Sequence, residues 1–236
     1  MKMELSKRLQ AVADMVTPGM RLADIGTDHA YIPIYLVEQK VIPEAIAMDI
    51  NKGPLERAEE HIREHGLTDK IQTRLSDGFQ NLEAGEADAM IAAGMGGALV
   101  IKILEDKKEV AKHLKELILQ PQSELGKVRA YLIEHGYQII EENMVLDEGK
   151  YYPMMKVIPC EEEHTEIYTL EELEYGKWLL HHANPVLKQF LERELLINHD
   201  IMESLKKQQS DRAKGRQDEI SKKNEEIRQV LEKYFE

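Results

Sequence analysis

Strand-like and helix-like segments alternate along residues 1–160, and this alternation excludes most fold classes. Short apolar runs predict five strands, and most of the stretches between them space their apolar residues as a helix does. The pattern is typical of a parallel sheet with helices on both faces. The predicted strands are 21–25, 44–49, 70–75, 87–93 and 117–120.

The last two predicted strands of this region differ from the first five. Residues 137–146 and 151–158 are joined by Asp147-Glu148-Gly149-Lys150, a short turn that leaves no room for a helix and favours a hairpin. Five parallel units that end in an antiparallel hairpin match the Rossmann-like, seven-stranded sheet of class I methyltransferases better than the sheet of a dinucleotide-dependent dehydrogenase. We therefore predict an α/β fold of this methyltransferase kind.

Beyond this sheet the pattern is helical only. The acidic run Glu161–Glu163 separates residues 1–160, predicted as a cofactor-binding domain, from residues 164–236, predicted as a helical extension. Two helices of similar length around a short turn favour an antiparallel coiled-coil hairpin at the end of the chain. The predicted helices are 170–182, 186–209 and a last one that follows a break at Gly215.

Charge and composition narrow the classes of protein further. The formal net charge of −13 excludes a protein coated in basic surface, although nucleic-acid binding needs only one positive stripe. Residues 206–223 carry seven basic against three acidic side chains, which we interpret either as a solvated helix–turn region or as a contact surface. Cys160 is the only cysteine, which excludes an internal disulfide and suits a reducing compartment. With no apolar stretch of membrane-spanning length and no secretory signal, we predict a cytoplasmic protein.

The segment Asp24-Ile25-Gly26-Thr27-Asp28-His29 places a strand end, a glycine and a helix start next to one another. Ligands of open α/β sheets bind at this edge. A dinucleotide site needs further glycines, and Asp28 at one of their positions would repel a pyrophosphate. A ligand without phosphate and with a free amine fits better, which favours S-adenosylmethionine, although a plain strand-end turn would have the same sequence.

Two further acids follow the next two predicted strands. Asp49, with Ile50 beside it, stands roughly 20 residues after Gly26, where a carboxylate accepts hydrogen bonds from both ribose hydroxyls. Asp77 is placed to accept from an adenine amino group, and Gly78 lets the backbone approach the ligand. The acids indicate adenosine, but they do not distinguish NAD from S-adenosylmethionine.

A glycine-rich run, Ala93-Gly94-Met95-Gly96-Gly97, follows the fourth predicted strand. It lacks the Asn/Asp-Pro-Pro-aromatic loop of many enzymes that methylate amino groups. It is not a phosphate-binding loop either, since no Lys-Ser/Thr follows it. Here the main chain can lie against the sulfonium, with Met95 as a soft apolar contact. Gln120 and Pro121 end the fifth strand on the same edge and are predicted to touch the substrate.

Several of these motifs together resemble the bacterial tRNA (adenine-22-N1)-methyltransferase family. The resemblance covers nearly the whole chain and implies methyl transfer from S-adenosylmethionine to N1 of the adenine at nucleotide 22 of tRNA. One departure is Thr27, where the family most often has serine. The segments that carry the resemblance are Leu5–Leu9, Asp24–Tyr31, Ala93–Gly97, Leu117–Pro121, Tyr175-Gly176 and Asn184-Pro185.

For that reaction we assign catalytic roles to three residues beside the first strand. Tyr31 or His29 would stack on or orient the adenine, and Asp28 would bond its exocyclic amine. The alternative for the two rings is core packing of the first crossover helix. No metal ion is predicted. The residues predicted to contact tRNA are Lys7, Arg8, Lys206, Lys207, Arg212 and Lys214.

Three other functions stay open at this stage. A class I methyltransferase that acts on another base or on protein would share every cofactor residue. An NAD-dependent oxidoreductase is disfavoured by the missing glycines. An interaction module without enzymatic activity would leave the acids at the strand ends unexplained.

Overall fold

The structure, a computed structural model, describes residues 3–160, 167–207 and 210–236. Strands and helices alternate through the first 160 residues as the sequence predicts. The strands are β1 Leu22–Ile25, β2 Ala45–Asp49, β3 Ile71–Leu75, β4 Ala89–Met95, β5 Glu116–Pro121, β6 Tyr137–Asp147 and β7 Lys150–Pro159. The helices of this region are α1 Lys7–Asp14, α2 Tyr31–Glu38, α3 Lys52–Glu64, α4 Gly97–Asp106, α5 Lys108–His113 and α6 Leu125–Glu134.

All seven strands form one sheet in the order β3-β2-β1-β4-β5-β7-β6. The first five strands pair in parallel, whereas β7 runs antiparallel to both of its neighbours, β5 and β6. This arrangement confirms the predicted Rossmann-like, seven-stranded methyltransferase sheet. Because β1 and β4 are central neighbours, their carboxyl ends lie side by side, where strand order reverses and open α/β sheets bind ligands.

Side chains of the central strands alternate between two apolar layers. In β1, Ala23 and Ile25 pack on one side of the sheet and Leu22 on the other, as the period-two geometry of a strand requires. Met90 and Ile91 divide in the same way in β4. The sheet is therefore covered on both faces, which explains why its strands are continuous apolar runs.

The described chain beyond residue 166 is helical, with two differences from the prediction, the first of which is at Gly176. The predicted helix 170–182 is in fact two helices, because Gly176 adopts a φ of +96° between them. A Cβ at Gly176 would lie 2.7 Å from each carboxylate oxygen of Glu142, so the chain must turn there to pass the buried Glu142–Arg129 ion pair. These helices are α7 Leu170–Tyr175, α8 Lys177–His181, α9 Pro185–Lys206 and α10 Asp211–Phe235.

The predicted break at Gly215 is also wrong, because Gly215 lies inside α10. The helix begins one turn earlier, where the Ser210 side chain accepts a hydrogen bond from the Ala213 amide. A single glycine in an exposed helix costs only about 1 kcal/mol relative to alanine, which a cap and the packing of the rest of the helix offset. The predicted boundary at Glu161–Glu163 lies outside the described residues.

The long helices α9 and α10 pack against each other and against the sheet. Leu191 of α9 and Ile227 of α10 belong to one buried apolar cluster, which Met144 of β6 joins. Farther along the pair, the Asn198 side-chain amide donates to the Asn224 side-chain oxygen at 2.8 Å. A helical hairpin is therefore present, while coiled-coil supercoiling stays a prediction. None of the helices within the described ranges is both long and apolar enough to cross a membrane.

Candidate active site

Asp24 and Gly26 form the carboxyl end of β1. Asp24 is buried, and burial is the main cause that raises the pKa of its carboxyl to about 6, with the charge of Asp49 adding to it. Gly26 has a φ of +76°, and a Cβ there would lie 3.0 Å from Met95 Cε of β4. The buried Thr27 hydroxyl contacts the Asp24 carboxyl, which partly offsets the rise in its pKa, and it has no other hydrogen-bond partner among the described residues. The end of β1 is thus an open backbone turn with unused polar groups, which can accept a ligand.

The ends of β2 and β3 bring carboxylates and exposed apolar side chains together. Asp49 accepts a hydrogen bond from the Asn51 amide at 2.7 Å, and Asp77 lies 3.3 Å from the Lys102 ammonium. Ile50 is 58% exposed, and Leu75 at the end of β3 is 45% exposed. Exposed aliphatic side chains beside carboxylates suit a flat aromatic ring with polar edges.

The glycine-rich run at the end of β4 differs from the prediction in one respect. The predicted strand ends at Ala93, but the observed strand continues through Gly94 and Met95, with a shift in its pairing to β5 between Ala93 and Met95. Gly94 has a φ of +85°, so this irregularity turns the backbone at the rim of the sheet. Gly97 has another role, since a Cβ there would lie 2.4 Å from the Ser123 carbonyl oxygen. It allows α4 to pack closely on the loop after β5.

The predicted catalytic residues lie together above the turn that follows β1. Asp28 is exposed and forms an ion pair with Arg57 of α3 at 2.8 Å. The rings of His29 and Tyr31 are stacked, with centroids 4.9 Å apart and planes 3° from parallel. His61 of α3 stacks on His29 at the same separation, and its Nδ1 lies 3.2 Å from the His29 carbonyl oxygen. Both rings from the β1–α2 turn are half-buried, so they join a ring cluster at the rim of the sheet.

Arg8 and Gln120 connect α1 to the end of β5. The Arg8 guanidinium donates to the Gln120 side-chain oxygen at 2.9 Å and lies over the Tyr152 ring, 5.4 Å from its centroid. Its Nη1 is also 3.4 Å from where a Cβ on Gly94 would be. Gln120 is fully buried, and its Nε2 has no partner among the described residues. Arg8 therefore belongs to the same rim as the glycine turn, while Lys7 is exposed beside it.

The four basic residues of the helical hairpin that are predicted to contact tRNA lie elsewhere. The part of α9 nearest to the end of β5 is around Phe190, which lines a cavity together with Gln122. Lys206 ends α9 sixteen residues farther on, which is about 24 Å along a helix. Lys206 pairs with Glu203 at 2.6 Å, and Lys214 lies 3.7 Å from Asp211. Lys207 and Arg212 are exposed at the same end of the hairpin. The structure thus divides the predicted tRNA contacts into a group at the rim and a distant group.

Known proteins resemble this chain in both sequence and fold. A methyltransferase-domain family profile matches residues 5–155. The chain is 40% identical over 154 residues to the tRNA (adenine(22)-N(1))-methyltransferase of Bacillus subtilis, and this match spans 65% of each protein, slightly under two thirds of the relative's length. The crystal structure of the B. subtilis m1A22 tRNA methyltransferase TrmK superposes with a TM-score of 0.82 at 32% identity and covers 98% of this chain and 100% of that one.

The chain belongs to the tRNA (adenine-22-N1)-methyltransferase family. A second solved member, TrmK of M. capricolum in complex with S-adenosyl-homocysteine, shares 27% identity and a TM-score of 0.82, and covers 98% of this chain and 99% of that one. The superpositions extend over the helices that follow the sheet. The helical extension is therefore a regular part of this family's fold.

Sequence reasoning missed three residues of the rim in this family member. Arg57 and His61 are four residues apart on α3 and face the β1–α2 turn, but an amphipathic helix shows no sign of which turn its polar face will meet. Gln122 follows β5, and its Nε2 lies 3.7 Å from where a Cβ on Gly94 would be. Its position directly after Gln120-Pro121 is the signal that could have found it.

Proposed function

We propose that this protein transfers a methyl group from S-adenosylmethionine to N1 of the adenine at nucleotide 22 of tRNA. The observation that carries the proposal is the carboxyl rim of β1, β2, β3 and β4, where acids, open glycine turns and exposed aliphatic side chains adjoin one another. Family membership supports it for the substrate, because the rim alone does not identify a nucleotide. A tRNA-modifying enzyme of this kind is expected to work in the cytoplasm.

The rim residues fit an adenosine that carries a positively charged, amine-bearing side chain. Asp49 is positioned to accept from the ribose hydroxyls, and Asp77 from the adenine amino group, with Ile50 against the ring. Asp24 and the Thr27 hydroxyl supply polar contacts at the amine end, where negative charge is favourable. Gly26 and Gly94 leave the backbone open, since a side chain at either position would narrow the gap between β1 and β4 or meet Arg8. We propose the same cradle role for Gly78, Ala93, Met95, Gly96 and His29.

When bound, the cofactor supplies an electrophilic methyl group on a positively charged sulfur, which leaves as the neutral thioether. Neutral adenine N1 already has a lone pair, so the protein's task is to hold the base in line, which contributes on the order of 7–11 kcal/mol when reacting atoms are close. We propose that Asp28 bonds the exocyclic amine, while Arg57 holds its carboxylate at the rim. His29 and Tyr31 would then orient the base from the ring cluster. The base must leave its stack to expose its Watson–Crick edge.

We propose that tRNA contacts both basic groups. Arg8 reaches Gln120 at the rim and Lys7 is exposed next to it in the chain, so they would bind phosphates near the reacting nucleotide. The distant group at the end of α9 would hold another part of the molecule. In this arrangement residues 1–160 bind the cofactor and carry out the reaction, and residues 164–236 extend the tRNA contact. No metal ion is involved in the proposal, and the described residues contain no cluster of three or more typical metal-binding side chains.

The test is incubation of the protein with radiolabelled S-adenosylmethionine and an unmodified tRNA transcript, followed by mapping of the labelled nucleotide. We expect label at nucleotide 22, in a form that blocks reverse transcription because the Watson–Crick edge is methylated. A matched transcript with another base at nucleotide 22 should take up no label. Equal labelling of both transcripts, or no cofactor binding by calorimetry, would refute the proposal.

A further inference from the structure

A cavity of about 420 Å³ lies where the sheet meets the helical extension. Its volume is in the range of small-ligand pockets. The cavity is at the carboxyl edge of the sheet, between the end of β5, the β6–β7 hairpin and the helices α7 and α9. Its aromatic and polar lining includes Gln122, Lys150, Tyr151, Tyr152, Tyr175 and Phe190. None of the residues to which we assign cofactor contacts lines it.

The cavity adjoins the proposed methyl-transfer site through one layer of side chains. Gln122 lines the cavity, and its Nε2 is 3.7 Å from where a Cβ on Gly94 would be. Arg8 lies 3.4 Å from the same point and covers the ring of Tyr152, which also lines the cavity. A group bound in the cavity would therefore lie next to a base held at Gly94, in a separate site.

The walls of the cavity suit a nucleobase. Tyr151 and Phe190 meet edge to face, with centroids 5.3 Å apart, and both are half-buried. Aromatic side chains stack on bases that have left a helix. Gln122 can both donate to and accept from the edge of a base, which gives the cavity a polar group beside its apolar walls.

Cations surround the mouth of the cavity at the tip of the β6–β7 hairpin. Arg193 of α9 covers the Tyr151 ring at 5.5 Å and lies 3.4 Å from the Gly149 carbonyl oxygen. Lys150 is exposed on the tip, and Arg8 approaches from α1. Of the nearby acids, Asp147 accepts from the Arg8 amide, Glu174 pairs with Lys223, and Glu148 is exposed on the tip, where it offsets part of the positive charge. In a chain of net charge −13, this local group is suited to a phosphate backbone.

We propose that the cavity holds the base of a nucleotide next to the methylated adenine, stacked against Tyr151 and Phe190. The inference rests on the proposed function. Withdrawing a base from its stack exposes the faces of its neighbours, and a second stacking site compensates for that loss. The helical extension thus forms one wall of a substrate subsite through α9, in addition to the distant basic group.

The test is a double-mutant cycle between the protein and the RNA. Phe190→Leu removes the ring while keeping an apolar side chain, and Tyr151→Leu serves as an independent second variant. Leu196→Ala, an exposed change on the same helix, is the matched control. Each protein is titrated with four tRNAs. One is unmodified, one is abasic at nucleotide 22, and the other two are abasic at one or the other flanking nucleotide. The proteins are first compared by circular dichroism and by affinity for S-adenosylhomocysteine.

For the wild-type protein, we expect an abasic site at one flanking nucleotide to raise the Kd about 5- to 100-fold, the range for one base–aromatic stack. Phe190→Leu should raise the Kd for unmodified tRNA by a similar factor, and the same abasic site should then have little further effect. Leu196→Ala should leave the full effect of the abasic site. If the effects of Phe190→Leu and of the abasic site on Kd multiply at both flanking nucleotides, the two are independent and the proposal is overturned. Coupling of Phe190→Leu to the abasic site at nucleotide 22 alone would also overturn it, because the target base itself would then occupy the cavity.

The wild-type methylation assay separates this inference from the proposed function. Methylation at nucleotide 22 together with an absence of coupling overturns only the subsite. Absence of methylation at that nucleotide overturns both.

Discussion

Replacing Asp24 with asparagine should make the protein more stable near neutral pH and weaken cofactor binding. In the unfolded chain the ordinary pKa of an aspartate is 3.8, and burial raises it to about 6 in the folded protein. At 1.36 kcal/mol per pKa unit, keeping this buried carboxylate ionised lowers the free energy of unfolding by about 3 kcal/mol. An asparagine side chain at this position has a similar shape without the charge.

The pH dependence of the free energy of unfolding shows whether the ionisation of Asp24 causes the difference in stability. Below pH 3.8 Asp24 is protonated in both states and has no effect. Between pH 3.8 and 6 the folded state binds a proton that the unfolded state lacks, so stability falls as pH rises, and above pH 6 the loss is complete. The advantage of Asp24→Asn over the wild type should therefore grow by about 2 kcal/mol between pH 4.5 and 7.5.

The assay is urea unfolding without cofactor, at half-unit pH steps, with both proteins measured side by side. Asp200→Asn, on the exposed face of α9, controls for the loss of one surface carboxylate. A constant difference between Asp24→Asn and the wild type across this pH range would refute the reasoning. In parallel, calorimetry should show weaker S-adenosylmethionine binding by the variant, and weaker binding by the wild type below about pH 6, where Asp24 takes up a proton.

Three further changes have definite expected outcomes. Arg129→Leu leaves Glu142 buried without its ion pair and should lower the free energy of unfolding by about 3–5 kcal/mol in urea titrations. The control Lys206→Ala removes an exposed ion pair and should lower it by less than about 1 kcal/mol. Asp49→Ala should weaken S-adenosylmethionine binding in calorimetry with little change in melting temperature, and equal affinity would remove Asp49 from the cofactor site. Reversing the charge of the distant basic group should weaken tRNA binding and flatten its dependence on salt, without changing cofactor affinity. The residues reversed are Lys206, Lys207, Arg212 and Lys214.

Much of the fold is predictable because it depends on local patterns. Apolar runs identify strands that are buried on both faces, and a short turn between two runs excludes a crossover helix. The strand ends follow from the same patterns, so the sequence alone predicts the positions of Asp24, Asp49 and Asp77 on one rim. Their assignment as cofactor contacts stays a prediction that the Asp49 and Asp24 variants test.

The parts that the sequence does not predict depend on residues distant along the chain. The turn at Gly176 is imposed by Glu142 and Arg129, and the local sequence of residues 170–182 continues as a helix across it. Gly215 shows the opposite error, since a glycine that looks like a break lies inside a long, capped helix. Arg57 and His61 reach the β1–α2 turn only because α3 packs beside it. For Gly176, Arg57 and His61 the deciding contact joins segments that no local pattern relates, whereas for Gly215 the cap at Ser210 and the packing of the rest of the helix outweigh the cost of the glycine.

A net charge of −13 is compatible with a polyanionic substrate where cations are grouped locally. Two such groups are present, one at the hairpin tip with Arg8, Lys150 and Arg193, and one at the end of α9. On α9, Lys206 lies thirteen residues beyond Arg193, about 20 Å along the helix, which is too far for one group to replace the other at the same phosphates. Under the proposed function, each group would neutralise few phosphates and bind weakly by itself, so the tRNA would be held well only in the orientation that engages both. Arg129 donates to the backbone oxygens of Leu173 and Glu174, and Glu142 accepts from the Trp178 amide. These contacts attach the helical extension to the sheet and would then fix where the reacting nucleotide meets the rim.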